Sequence, residues 1–232
     1  MNTNAFEQYG SSAVAQQSFV TKVYWWMCSA LTTTALVSYY VASSPQLIGK
    51  IVGNGTLFLL LILAELGIVI AISAAINKLS ATTATGLFFL YSALNGLTLS
   101  VIFVAYTTES LVNTFLVSAL TFGVTGFYGY VTKRDLTSIG NLAFMGLIGI
   151  IIASIANWFL KSTFLNTITT YIGVLVFVGL TAYDTQKIKK MGSMYASGTE
   201  VERKGTIIGA LSLYLDFINL FLMLLRIFGR RR

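Results

Sequence analysis

Histidine is absent from the 232 residues. That excludes histidine triads, histidine-ligated metals and imidazole pH sensing. Cys28 is the only cysteine, so an internal disulfide and a Cys-rich zinc or iron–sulfur site are excluded too. A single thiol says nothing of redox compartment. Pro45 is the only proline and lies between apolar runs, so none of them is kinked by one. Charge is scarce: Asp, Glu, Lys and Arg make up 10% of the chain, where a soluble domain carries about 25%. What is abundant is apolar. Hydrophobic residues reach 56% and mean hydropathy is +0.78. Together these exclude a soluble enzyme, a disordered tail and a disulfide scaffold.

A transmembrane helix needs about 20 apolar residues to cross about 30 Å of hydrocarbon. Apolar runs fall at 23–42, 56–76, 84–106, 111–131, 139–160, 166–186 and 206–228. The expectation is an all-α integral membrane protein: a polar N-terminal tail over 1–22, a single seven-helix domain over 23–228 and a basic tail over 229–232. The N-terminal segment has no basic start followed by an apolar stretch, so it reads as a short mobile tail and not as a cleavable signal. The net charge of +7 reads as membrane topology, with no nucleic-acid partner. The side holding the N-terminus and alternate loops carries Lys22, Lys78, Lys133, Arg134, Lys187, Lys189, Lys190, Arg203 and Lys204. The other side carries Lys50 and Lys161, joined by Arg230, Arg231 and Arg232 if the last run crosses fully. The bias places the N-terminus in the cytoplasm. The basic tail dissents, and a re-entrant last run broken near Asp216 is the alternative.

Three acids stand at membrane depth: Glu65, Asp184 and Asp216. A charge at the bilayer centre costs about 2.5–3.5 kcal/mol on the mildest scale, so such groups face the bundle interior and find partners. Asp184 and Asp216 are equidistant from position 200, in the polar stretch Ser197–Glu200. An antiparallel hairpin turning there with symmetric arms brings the two carboxyls together near mid-membrane. The last run carries a polar face of Gly209, Ser212, Asp216, Asn219 and Met223, opposite Leu211, Leu215, Ile218 and Leu222. Tyr91, Asn95 and Thr98 share a face of the third run and are candidate partners for the acids. Gly123, Gly126 and Gly129 read as a close-packing surface.

Two neighbouring carboxyls in a low-dielectric site share a proton. Singly protonated, they hold two helices together through a short hydrogen bond. Fully deprotonated, they repel and attract a hard divalent cation. Glu65, Asn95 and Asn219 extend an oxygen-lined route. This is the chemistry of a gated cation leak or a proton-coupled carrier.

The segments Gly179-Leu180-Thr181-Ala182-Tyr183-Asp184-Thr185-Gln186 and Leu213-Tyr214-Leu215-Asp216-Phe217-Ile218-Asn219, with Leu224-Leu225-Arg226, resemble the Bax inhibitor-1 family. The bacterial branch is the most similar, and Val23-Tyr24-Trp25-Trp26-Met27 also looks like its members. The resemblance implies a seven-helix fold with the last helix central and wrapped by the other six. It implies a pH-sensitive calcium leak in a bacterial inner membrane, gated by an aspartyl pair matching Asp184 and Asp216. It makes Glu65, Asn95, Asn219, Tyr183, Ser212 and Arg226 ion-pathway or supporting residues, and Glu65, Asp184 and Asp216 transient calcium ligands. Some bacterial members place an Arg near the cytoplasmic end of the second helix; here stand Ile76 and Asn77, with Lys78 next. Certain relatives are linked to a membrane-bound AAA protease, which the resemblance offers as a partner.

Calcium ions, protons and the lipid bilayer are the expected partners, with no cofactor and no enzymatic activity. A non-conducting regulator that binds a membrane protease or cell-death factor is the rival reading. Intramembrane aspartyl proteolysis fits poorly. Its second Asp belongs to a Gly-x-Gly-Asp context with a Pro-Ala-Leu segment after it, and Leu213-Tyr214-Leu215-Asp216 has neither. The last run has no lysine for a retinal Schiff base, and no Walker-type loop is present.

Overall fold

The computed structural model describes residues 3–232, with side chains from Val14 onward. Among the described residues there are nine helices and no strand: α1 (Thr3–Ala42), α2 (Pro45–Gly53), α3 (Gly55–Ala75), α4 (Ala81–Leu99), α5 (Val101–Ala105), α6 (Thr108–Val131), α7 (Thr137–Leu160), α8 (Thr163–Gly192) and α9 (Glu200–Phe228). The apolar runs set these lengths, and polar turn residues set their starts. Asn54, Ser80 and Thr107 each accept a hydrogen bond from a backbone N–H three residues on, capping α3, α4 and α6. Helices α4 and α5 form one span with a break at Ser100, whose hydroxyl donates to the Leu97 carbonyl at 2.6 Å.

Six of these segments are long and apolar enough to cross a membrane: 55–75, 81–105, 108–131, 137–160, 163–192 and 200–228. The chain is an all-α, multi-pass membrane protein. The seventh expected span lies within α1 and is less apolar, because Ser29, Thr32, Thr33, Thr34 and Ser38 interrupt it. Ser29, Thr32 and Thr33 donate to carbonyls four residues back, so their hydroxyls are satisfied within the helix itself.

Three expectations change. Helix α1 continues back to Thr3, through the segment expected as a mobile tail; Met1 and Asn2 lie outside the described residues. Helix α2 was not anticipated: at nine residues it is too short to span, and Pro45 opens it at its first turn. The re-entrant alternative also fails. Asp216 sits inside one unbroken 29-residue helix, about 43 Å long at 1.5 Å per residue.

The chain packs as two compact units. Unit 1 holds residues 1–106 and 189–214, with Arg232; unit 2 holds 107–188 and 215–231. Helix α9 supplies core to each. Of its most apolar stretch 72% is buried, against 6–33% for the other five spans. In unit 1, Tyr214 is wholly buried, and the rings of Phe88 and Tyr91 meet it edge-on at 5.8 and 5.5 Å. In unit 2, Phe115 and Phe122 each meet Phe217 edge-on at 5.5 Å. The polar stripe does not mark the exposed side of α9: Leu211 and Ile218, on the opposite face, are buried as Asp216 is.

Candidate functional site: carboxylates in the helix cores

In unit 1, Glu65 projects from α3 toward α4. Asn95 Nδ2 donates to Glu65 Oε2 at 3.2 Å and Thr98 Oγ1 donates to Oε1 at 2.9 Å. The expected face of Tyr91, Asn95 and Thr98 thus serves Glu65. The network continues through residues not singled out as partners of Glu65. Tyr214 OH donates to Asn95 Oδ1 at 3.2 Å and shares a 2.6 Å hydrogen bond with Thr34 Oγ1. Thr34 Oγ1 also lies 2.8 Å from the Ser92 carbonyl, so the two hydroxyls have two protons for three contacts, and the network links α1, α9 and α4 to the Glu65 carboxylate without one fixed direction. Such a chain polarises cooperatively in a low-dielectric interior. Two signals were available: Tyr214 stands two residues before Asp216, and Thr34 ends a run of three threonines.

In unit 2, Asp216 is only 4% exposed. Its Oδ2 is buried and has no hydrogen-bond partner, and it is the only such side-chain atom among the described residues. Asp184, half-buried on α8, lies within its electrostatic reach. Asp184 and Asp216 share unit 2 and act on each other electrostatically, but the arms that carry them are not symmetric. The turn occupies 193–199, centred four residues earlier than expected, because Glu200 already opens α9. From the helix ends, Asp184 is about 12 Å deep and Asp216 about 24 Å. Seven connecting residues reach about 23 Å and absorb that difference. Lys187, one turn along α8, acts electrostatically on Asp184. Sequence reading placed it among the topology-setting charges; its i+3 spacing from Asp184 was the signal.

Three contacts fix the segment bearing Asp184. Gln186 is buried and clamps the connection before α7: Oε1 accepts from Leu136 N at 2.9 Å, and Nε2 donates to the Arg134 carbonyl at 2.8 Å. Gly129 on α6 lies against the backbone of Ala182, where a Cβ would overlap the carbonyl. Gly140 on α7 lies under the ring of Tyr183, which thereby acts as a packing support beside Asp184. Within the expected glycine surface, Gly129 makes the close approach, whereas Gly123 faces open space.

The remaining expected residues are more peripheral. Asn219 is half-buried and its Nδ2 donates to the Leu215 carbonyl at 2.8 Å, within its own helix. Ser212 is half-buried on the portion of α9 in unit 1. Arg226 is exposed in the last turn of α9, ten residues past Asp216, where its charge complements the carbonyl end of the helix. Among the described residues no three Asp, Glu or Cys side chains are placed to hold one metal ion. Within unit 1, both Glu65 oxygens accept hydrogen bonds, from Asn95 and Thr98.

This is a polytopic helical membrane protein that keeps carboxyl groups inside its helix cores. A family model described as "Inhibitor of apoptosis-promoting Bax1" matches residues 16–232. The chain belongs to the Bax inhibitor-1 family. It is 55% identical over 217 residues to "Inner membrane protein YbhL" of Escherichia coli K12, covering 93% of each chain. It is 46% identical to an uncharacterized protein of Borreliella burgdorferi, covering 94% of each. An uncharacterized membrane protein of Streptococcus pyogenes serotype M1 is 38% identical, covering 96% of each.

Proposed function

We propose that the chain is a proton-responsive calcium leak of a bacterial inner membrane, with its N-terminus in the cytoplasm. Asp184 and Asp216 are its gate. The observation that carries the reading is the buried, unpartnered Asp216 Oδ2 within electrostatic reach of Asp184. An orphaned carboxylate oxygen costs about 1–3 kcal/mol or more, a penalty that a switching group tolerates and a purely structural one does not need. A proton shared between the two carboxyls gives that oxygen a partner and draws α8 toward α9. Loss of the last proton leaves two like charges in a poorly screened site, and their repulsion separates the helices. Rising pH therefore opens the path. Calcium takes six to eight oxygen ligands; two carboxylates supply few of them, so the ion keeps much of its water and leaves readily. Glu65, linked to Asn95 and Thr98, is a supporting anionic group on the route.

The test is calcium entry into dye-loaded proteoliposomes across pH 5–8, with wild type beside Asp184→Asn/Asp216→Asn. Flux should rise with pH in the wild type, and the double variant should lose that slope. A slope unchanged by the two substitutions refutes the gate. No flux above empty liposomes at any pH refutes conduction and favours a regulator that binds a membrane protease or cell-death factor.

A further inference from the structure

Unit 1 contains a cavity of about 690 Å³ at the end where the α8–α9 turn lies, lined by α1, α4 and α9. Neither carboxylate site uses it. Along each of the three helices its lining crosses the start of the apolar run: Lys22 then Trp26 on α1, Thr82 then Gly86 on α4, and Arg203 then Ile207 on α9. The cavity therefore straddles the boundary between interface and hydrocarbon. Its volume falls within the range of small-molecule sites.

Charge selects the ligand further. Glu202 also lines the cavity, but both its oxygens are engaged. Oε1 pairs with Lys22 Nζ at 2.7 Å and Oε2 accepts from Gly198 N at 2.7 Å. Gly198 reaches that carboxylate with φ +82°, a conformation that favours glycine. The pair cancels, and the charge of exposed Arg203 remains. One net positive charge at the polar end and an apolar wall beyond it match an anionic amphiphile. Trp26, whose ring meets Phe89 edge-on at 5.8 Å, is the aromatic type that settles at headgroup level.

The geometry points to a binding site for one anionic phospholipid, with its phosphate at Arg203 and its glycerol and first acyl carbons along Gly86 and Ile207. Gly86 keeps that wall open: a Cβ there meets no atom within 4 Å, so a larger side chain would grow into the cavity without displacing protein.

The test titrates the detergent-purified full chain with phosphatidylglycerol, phosphatidylcholine or glycerol 1-phosphate, and counts bound molecules by native mass spectrometry. One saturable phosphatidylglycerol per chain is expected. Arg203→Gln should weaken it about fivefold, the contribution of one basic residue near an anionic surface. Gly86→Leu should abolish it, with the melting temperature of both variants unchanged. If Gly86→Leu lowers the melting temperature, Arg203→Gln alone decides. Equal binding of phosphatidylcholine, or phosphatidylglycerol binding that Arg203→Gln leaves unchanged, overturns the proposal. Glycerol 1-phosphate binding as tightly as the lipid makes this a soluble-phosphate site and overturns the lipid assignment.

Discussion

Replacing Tyr214 by Phe removes one oxygen from the centre of unit 1 and little else. The ring keeps its edge-on contacts with Phe88 and Tyr91. Two hydrogen bonds go, to Thr34 Oγ1 at 2.6 Å and to Asn95 Oδ1 at 3.2 Å. Thr34 still has the Ser92 carbonyl at 2.8 Å. Asn95 Oδ1 loses the hydroxyl that donates to it, in a side chain only 7% exposed. A buried acceptor left alone costs about 1–3 kcal/mol. Hydrogen bonds between membrane helices average about 0.6 kcal/mol and reach about 1.7. Tyr214→Phe should therefore destabilise by about 1–2 kcal/mol. The assay is reversible unfolding in mixed detergent micelles, completed as a double-mutant cycle with Thr34→Val. The 2.6 Å bond should give a coupling energy near 1 kcal/mol. A loss below about 0.3 kcal/mol with additive effects in the cycle would mean the bonds add nothing, and the buried network would then be refuted.

Two further outcomes bear on the carboxylates. Gly129→Ala should destabilise by about 1–3 kcal/mol by overpacking against Ala182, and Gly123→Ala should stay within about 0.5 kcal/mol; equal effects in thermal unfolding would contradict the close approach. Glu65→Gln should lower calcium flux at every pH more than it moves the midpoint of the pH response. A shifted midpoint at unchanged maximal flux would instead make Glu65 a sensor.

The spans were legible because burial in lipid demands long apolar runs, and hydropathy reports that demand directly. The borders of α3, α6, α7 and the end of α9 lie within about three residues of the runs read at 56–76, 111–131, 139–160 and 206–228. Helix α2 was hidden because nine residues carry no spanning signal. The acids at 65, 184 and 216 were conspicuous because charge at depth is costly. Their partners were not, since Thr34, Tyr214 and Lys187 are ordinary residues at their positions and matter only through what packs opposite them. The position of the hairpin turn failed for a related reason. Helix start signals at Thr199 and Glu200 compete with the polarity of the same stretch, and the Thr199 hydroxyl accepts from Glu202 N at 3.2 Å to begin α9 there.

The last residues of the chain are not loose. Arg230 N donates to Ser110 Oγ at 2.9 Å, the Arg230 carbonyl accepts from Thr107 N at 3.1 Å, and Arg232 N donates to the Ala105 carbonyl at 3.1 Å. Any peptide fused after Arg232 must leave from a backbone stitched to the turn between α5 and α6. An affinity handle or reporter at that end would tug on the stitching and bias a topology assay toward whatever state tolerates its loss. Protein for flux or lipid work is better tagged at the N-terminus, and a C-terminal reporter should be preceded by a flexible linker long enough to let the pairing form.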